Sequence, residues 1–182
     1  ALVEIGAGLG SLTLALAETG AQVTAVEVDR GVLPVLRRLT EPLHNVVVVE
    51  ADAMHADWDA VCNPQRRWVL VANLPYNVST PLICDLLDGV PQIARMLVMV
   101  QREVGERLSA GPGSKIYGAV SVKVAYWATA RLIGLVPATV FVPRPKVESA
   151  LVEVRRRSAP ATGAAPDVLF TLVRTAFGQR RK

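Results

Sequence analysis

The stretch Leu2-Val3-Glu4-Ile5-Gly6-Ala7-Gly8-Leu9-Gly10 decides how the rest of the chain is read. A short strand-like run enters a turn with glycine at every second position. Residues 11–18 follow as a helix carrying Leu12, Leu14, Ala15 and Leu16. Strand, glycine turn and helix in that order open a βαβ unit. Glycines at such a turn let the backbone bend sharply and bring amide groups near a ligand at the helix N-terminus. The dinucleotide fingerprint G-x-G-x-x-G/A is not met, because Ser11 stands at its third position.

Outward from this unit, short apolar runs alternate with helix-period segments, the pattern of a mainly parallel sheet with crossover helices. Strands are expected at 22–28, 46–49, 68–72 and 97–100, and helices at 30–39, 81–87 and 102–109. The four valines at 46–49 read as a buried strand. Residues 111–114 read as a loop and residues 117–127 favour helix. The runs at 130–136 and 151–155 read as a closing pair of strands. The stretch 158–166, rich in Ala, Pro and Gly, reads as a linker. Residues 168–177 then form an amphipathic helix that runs into Arg180-Arg181-Lys182. The expected organisation is one α/β domain over 1–157, a linker over 158–166, and the start of a small helical domain over 167–182. Both ends read as interior to a longer protein.

With 182 residues, 51% hydrophobic and 20% charged, the chain can bury a full core and does not resemble a disordered one. No apolar run reaches the roughly 18 residues a membrane helix needs; the longest, 119–140, is interrupted by Lys123 and Arg131. Cys62 and Cys84 have neither metal-ligand nor disulfide-framework spacing, so a reducing, cytoplasmic setting without a bound metal is expected. The net charge is +4, and Arg37-Arg38, Arg66-Arg67, Arg155-Arg156-Arg157 and Arg180-Arg181-Lys182 cluster as they would for a polyanionic partner. His44 and His55 stand outside any Ser-His-Asp or H-E-x-x-H context, and Gly111 to Lys115 lacks the order of a phosphate-binding loop. Trp58, Trp68 and Trp127 read as packing residues.

Acidic residues recur at strand ends. Glu4, Glu27 and Asp52 each belong to a successive strand of the pattern, and in a doubly wound sheet they converge on one edge. A carboxylate at Glu27 can accept two hydrogen bonds from a ribose diol, and Asp52, with Ala53 beside it, can receive an adenine amino group.

The fourth strand runs into Asn73-Leu74-Pro75-Tyr76. This tetrapeptide matches the N/D-P-P-Y type, in its N-L-P-Y form, typical of enzymes that methylate an exocyclic amino nitrogen. The lone pair of adenine N6 is delocalised into the ring, which makes it a poor nucleophile. The Asn73 carboxamide oxygen and the Leu74 carbonyl can both accept from that amine, hold its lone pair outward and stabilise the charge that builds on it. Pro75 fixes the backbone so that the Leu74 carbonyl faces the site, and Tyr76 offers a ring on which an unstacked base can lie.

The string Phe141-Val142-Pro143-Arg144-Pro145-Lys146-Val147-Glu148-Ser149-Ala150 joins the glycine motif, N-L-P-Y-N-V-S-T, the 101–108 segment and Ser114-Lys115-Ile116-Tyr117-Gly118 in one order. In this order the chain, from Leu2 to Lys182, resembles the ribosomal RNA adenine N6,N6-dimethyltransferases, and within them the bacterial small-subunit enzymes. The resemblance implies a Rossmann-like class I methyltransferase fold. Its sheet would be mostly parallel and seven-stranded with an antiparallel closing strand, and it would use S-adenosyl-L-methionine. It also implies that Glu4, Gly6, Gly8 and Gly10 surround the methionine part of the cofactor. Glu27 would meet the ribose, and Asp52 with Ala53 the adenine. Asn73, Leu74, Pro75 and Tyr76 would hold the target adenine, with Asn73 also beside the cofactor and Phe141 stacked on the other face of the base. Arg102, Arg144, Lys146, Arg180, Arg181 and Lys182 are the expected RNA contacts.

The implied substrate is small-subunit ribosomal RNA in an immature 30S particle, met by a monomer without membrane involvement. The related large-subunit enzymes of the macrolide-resistance type share N-L-P-Y and F-x-P-x-P-K-V; the P-G-S-K-x-Y-G segment and the A-F-x-Q-R-R-K ending favour the small-subunit type. A non-catalytic RNA-binding assembly factor on the same fold is the reading from a different class, and survival of Asn73, Tyr76 and Glu27 disfavours it. A DNA adenine-N6 methyltransferase is disfavoured by the F-x-P-x-P-K-V string.

Overall fold

Strand β1 (Leu2–Ile5) pairs in parallel with β2 (Val23–Glu27) on one side and with β4 (Trp68–Asn73) on the other. This is a computed structural model, and it describes residues 1–179; Arg180, Arg181 and Lys182 lie outside the described residues. With β3 (Val46–Glu50), β5 (Ile93–Gln101), β6 (Ala128–Val136) and β7 (Ser149–Arg156), the strands form one seven-stranded sheet in the order β3-β2-β1-β4-β5-β7-β6. All pairings from β3 to β5 are parallel, and β7 is antiparallel to both of its neighbours.

The helices are α1 (Ser11–Glu18), α2 (Leu33–Thr40), the single-turn α3 (Trp58–Val61), α4 (Ser79–Gly89), α5 (Arg102–Leu108), α6 (Ala119–Trp127) and α7 (Pro166–Gly178). Alternate residues of a strand point to opposite faces, so β2 splits its apolar residues between two cores. Val26 joins the larger cluster with Leu70, Ile83, Leu86, Val98 and Val152, while Ala25 packs with Ala7, Leu33 and Leu36.

Two expectations change. The four valines of β3 were expected to be a buried strand, but among the described residues β3 is the sheet's edge, paired only with β2, and Val47 is 58% exposed. Valine's preference for a pleated backbone holds at an edge as well as in a core, so composition alone does not distinguish them. The stretch 158–166 is exposed but strapped down. Ala161 N–H donates to the Tyr126 carbonyl at 2.9 Å, and the Tyr126 hydroxyl donates to the Ala164 carbonyl at 2.8 Å. Helix α7 continues this attachment: Phe170 packs edge-to-face on Tyr126 at 5.3 Å, with the Lys123 ammonium 5.3 Å from its ring centroid.

Strand β5 begins earlier than expected because Arg95 interrupts its apolar pattern without interrupting the strand. Its guanidinium pairs with Glu153 of β7, a carboxylate that Arg131 and Arg155 also approach. The antiparallel strand is fixed in two further ways. Arg156 donates to the carbonyls of Leu86, Leu87, Val90 and Ile93, closing the C-terminal end of α4. On the same face α5 lies so close to β7 that a Cβ on Gly105 would stand 2.8 Å from Ala150 Cβ. Among the described residues no helix is long and apolar enough to cross a membrane.

Candidate active site

The parallel strands end at one edge of the sheet, where the turns after β1, β2, β3 and β4 meet. Gly6 has φ +74°, and a Cβ there would lie 3.9 Å from both the Asn73 carbonyl oxygen and Pro75 Cδ, so the glycine turn rests against the N-L-P-Y turn. Gly10 caps α1 at φ +87°, a conformation side chains rarely adopt, with Leu36 Cδ1 only 2.9 Å from where its Cβ would be.

Glu27 organises the first cleft. Its Oε2 accepts from Gly8 N–H at 2.7 Å, and its Oε1 accepts from Val28 N–H and Asp29 N–H, each at 2.8 Å. A carboxylate has about four acceptor sites, so the backbone orients this group while leaving it capacity for a ligand. Asp52 Oδ1 accepts from Met54 N–H at 2.9 Å and Oδ2 pairs with His55 Nδ1 at 2.9 Å. These two contacts, the Met54 amide foremost, hold the Asp52 carboxyl below its ordinary range. Gly6, Glu27, Asp52 and Ala53 line a cleft of about 330 Å³ together with Ile5 and Leu82.

Glu4, expected beside the cofactor, is buried under the start of α1. It is 1% exposed, lines neither cleft, and accepts from Thr13 Oγ1 at 2.6 Å beneath the start of α1. Burial pushes its pKa up to about 7, against the lowering effect of Thr13 and with a smaller rise from the nearby Glu27 charge. Both faces of β1 are covered: Val3 and Ile5 join the larger core on one face, and alternation turns Glu4 to the other, under α1. Gly8 and Gly10 likewise do not line the cleft; Gly8 reaches it through its amide on Glu27.

The second cleft, about 280 Å³, is lined by Asn73, Leu74, Pro75, Tyr76, Phe141 and two prolines, Pro143 and Pro145. Pro75 lines both clefts. The turn is held from three sides: Leu74 N–H donates to the Met99 carbonyl at 3.1 Å, and Val78 and Ser79 N–H donate to the Pro75 carbonyl at 3.2 and 3.1 Å. The Tyr76 hydroxyl lies 2.9 Å from Ser149 Oγ. Among the described residues the Asn73 carboxamide and the Leu74 carbonyl have no hydrogen-bond partner, so both remain available to a ligand.

The expected RNA contacts divide. Arg102 is already paired with Glu106 and Glu148, each at 2.8 Å, so its charge is compensated within the chain. Arg144 and Lys146 are exposed on the β6–β7 connection beside the second cleft. Met54, Asn77 and Val78 in the first cleft, and Ser149 behind the second, were not expected. Asn77 and Val78 directly follow the recognised tetrapeptide, and Ser149 ends the recognised F-x-P-x-P-K-V-x-S string, so adjacency to those motifs was the available signal.

Strand order, antiparallel β7 and a divided cleft at the strand tips define the Rossmann-like α/β methyltransferase fold. The profile of the family described as ribosomal RNA adenine dimethylase matches residues 1–182. The chain is 48% identical over 187 residues to the ribosomal RNA small subunit methyltransferase A of Streptomyces coelicolor, covering all of this chain and 64% of that protein. It is 40% identical over 186 residues to the protein of the same name from Bacillus pumilus, again with 100% and 64% coverage. Among solved structures, a dimethyladenosine transferase from Plasmodium falciparum superposes with a TM-score of 0.84 at 28% identity, covering 100% of this chain and 64% of that one. The 23S rRNA methyltransferase ErmE superposes with a TM-score of 0.79 at 27% identity, covering 98% and 72%. The chain belongs to the ribosomal RNA adenine dimethylase family, and it spans 64% of the length of these two curated relatives.

Proposed function

We propose that the protein, at its natural length, transfers methyl groups from S-adenosyl-L-methionine to the N6 amino nitrogen of adenines in small-subunit ribosomal RNA. The product would be N6,N6-dimethyladenosine, made during ribosome biogenesis. The observation that carries this reading is the meeting of two clefts at Pro75, one holding Glu27 and Asp52 and the other holding Asn73, Leu74, Tyr76 and Phe141. The small-subunit substrate is favoured by the name shared by the relatives at 48% and 40% identity.

The first cleft fits the cofactor: it offers an oriented carboxylate in Glu27, a second acid in Asp52, and apolar walls from Ile5 and Leu82. Glu27 would hold the ribose hydroxyls, and Asp52 with Ala53 the adenine, while Gly6 keeps the backbone low enough for the rest of the molecule. When bound, the cofactor supplies an electrophilic methyl group on a sulfonium. Asn73 and the Leu74 carbonyl would accept from the target amine and aim its lone pair across Pro75. Tyr76 and Phe141 would sandwich the base, and Arg144 and Lys146 would meet phosphates beside it. None of these roles needs a group with a shifted pKa, because the methylated nitrogen releases its proton to water. The same reading assigns residues 1–157 to the methyltransferase domain and α7 to the start of a helical C-terminal part. It places a monomeric protein in the cytoplasm, on immature 30S particles.

The test is labelled methyl transfer by the full-length protein to immature small subunits, large-subunit RNA and duplex DNA. Incorporation confined to small subunits, recovered as N6,N6-dimethyladenosine, is expected. Incorporation only into large-subunit RNA would move the protein to the ErmE type, and none at all would overturn the enzymatic reading.

A further inference from the structure

Tyr76 and Ser149 lie 73 residues apart in sequence, yet their side-chain oxygens are 2.9 Å apart. Ser149 is completely buried and is the first residue of β7, paired with Gln101 of β5 on one side and with Val136 of β6 on the other. The backbone that carries its Oγ is therefore fixed by two ladders. Tyr76 sits half-buried in the turn between β4 and α4, where its carbonyl accepts from Ser79 Oγ at 3.3 Å, but its ring belongs to no strand or helix. A tyrosine ring swings about two torsions unless its far end is held, and here the hydroxyl is held by the sheet. The opposite wall of the slot, Phe141, lies in the β6–β7 connection that ends at Ser149. The placement of both walls is thus referred to the start of one strand.

The two transfers do not ask the same of this slot. In each one the N6 lone pair forms the new N–C bond while the electrons of the broken S–C bond stay on the donor's sulfur. The nitrogen then gives up one proton to water. Unmodified adenine has two N–H groups for two acceptors, the Asn73 carboxamide and the Leu74 carbonyl. After the first transfer one N–H remains, so one acceptor is left without its partner. The orientation lost with that hydrogen bond has to come from the ring sandwich.

Resting on the function proposed above, we propose that Ser149 is a positioning residue for the second methylation: by holding the Tyr76 hydroxyl it keeps the slot tight enough to re-present an adenine that already carries one methyl. Ser149→Ala and Tyr76→Phe remove the same hydrogen bond from its two ends.

The test uses the full-length protein and has two readouts. Mass spectrometry of nucleosides from small-subunit RNA gives the ratio of second-transfer to first-transfer rates. The loss of about one neutral hydrogen bond is expected to lower that ratio about tenfold, so that N6-methyladenosine accumulates. Both single variants should show it, and the double variant should be no worse than the more affected single one. A ratio unchanged in Ser149→Ala, or both transfers slowed equally, would overturn the proposal. Should Ser149→Ala not fold, Tyr76→Phe carries the same comparison from the half-exposed end. The second readout is fluorescence quenching of a short single-stranded RNA with 2-aminopurine in place of adenine, titrated with S-adenosylhomocysteine present. Weaker quenching in either variant at saturating protein supports the slot function, and equal quenching overturns it. If the wild-type protein makes no dimethyladenosine, the function proposed above fails by itself, and the quenching comparison still decides the role of Ser149.

Discussion

The Gly8 amide donates to Glu27 Oε2 at 2.7 Å, which ties the glycine turn after the first strand to the tip of the second. One carboxylate thus shapes the loop and faces the cleft. Glu27→Gln keeps the size of the side chain but removes its charge and turns an NH2 toward at least one amide donor. Hydrogen bonds to charged groups contribute about 1.5–3 kcal/mol, so S-adenosylhomocysteine affinity should fall about 10- to 100-fold by calorimetry. An unchanged affinity would remove Glu27 from the cofactor site.

Asn73 tests the other cleft. Its carboxamide is exposed at the end of β4 and makes no internal hydrogen bond among the described residues, so its removal leaves the fold intact. Loss of one preorganised polar group from a reaction centre costs about 10²–10³ in rate. Asn73→Ala should lose methyl transfer on that scale while RNA affinity, measured by filter binding, stays nearly constant. Near-normal turnover would refute the role given to the amide.

Glu4 predicts a pH dependence of stability. Its folded-state pKa of about 7 lies above the ordinary value of 4.5. The native state therefore holds more protons than the unfolded state between those limits. The contribution is fully present below pH 4.5 and is lost as pH rises through about 7. At 1.36 kcal/mol per unit, about 3 kcal/mol is involved. The thermal midpoint of the wild-type protein should fall across this range more than that of Glu4→Gln, whose carboxamide oxygen still accepts from Thr13. Parallel profiles for the two proteins would count against the buried-acid account.

Gly105 is required for packing rather than for a turn. An added Cβ would meet Ala150 Cβ at 2.8 Å and Val152 Cγ2 at 3.0 Å, both on β7. Overpacking of this kind costs about 1–3 kcal/mol. Gly105→Ala should lower the midpoint of denaturant unfolding accordingly, and because β7 begins at Ser149, it should also weaken methyl transfer. A variant as stable as the wild type would show that α5 can move away from β7 at no cost.

The order of strands and helices was readable because apolar runs and glycine turns are local signals, and the N-L-P-Y and F-x-P-x-P-K-V strings marked the second cleft residue by residue. What depended on neighbours was not readable. Four valines said strand but not edge: among the described residues no further strand lies beside β3, and Val47 is exposed there. Glu4 was counted with Glu27 and Asp52 as an acid facing the cleft, although alternation along β1 turns it inward onto Thr13. Arg102 looked like a free cation because Glu148, one of its two partners, arrives from a distant loop. The stretch 158–166 has a linker's composition, and only Tyr126 on α6 shows that it is strapped.

The last strand in the sequence is not last in the sheet: β7 lies between β5 and β6. As the polypeptide leaves the ribosome, β5 emerges with one side unpaired, and β6 emerges before the strand that must separate it from β5. Neither can complete its hydrogen bonding until Ser149 to Arg156 has been made, and these same residues supply the anchor of Tyr76 and the cap of α4. Vectorial synthesis therefore finishes the sheet and the second cleft in one event. A nascent or truncated chain ending before Ser149 has the motif N-L-P-Y without the strand that anchors Tyr76 at the second cleft.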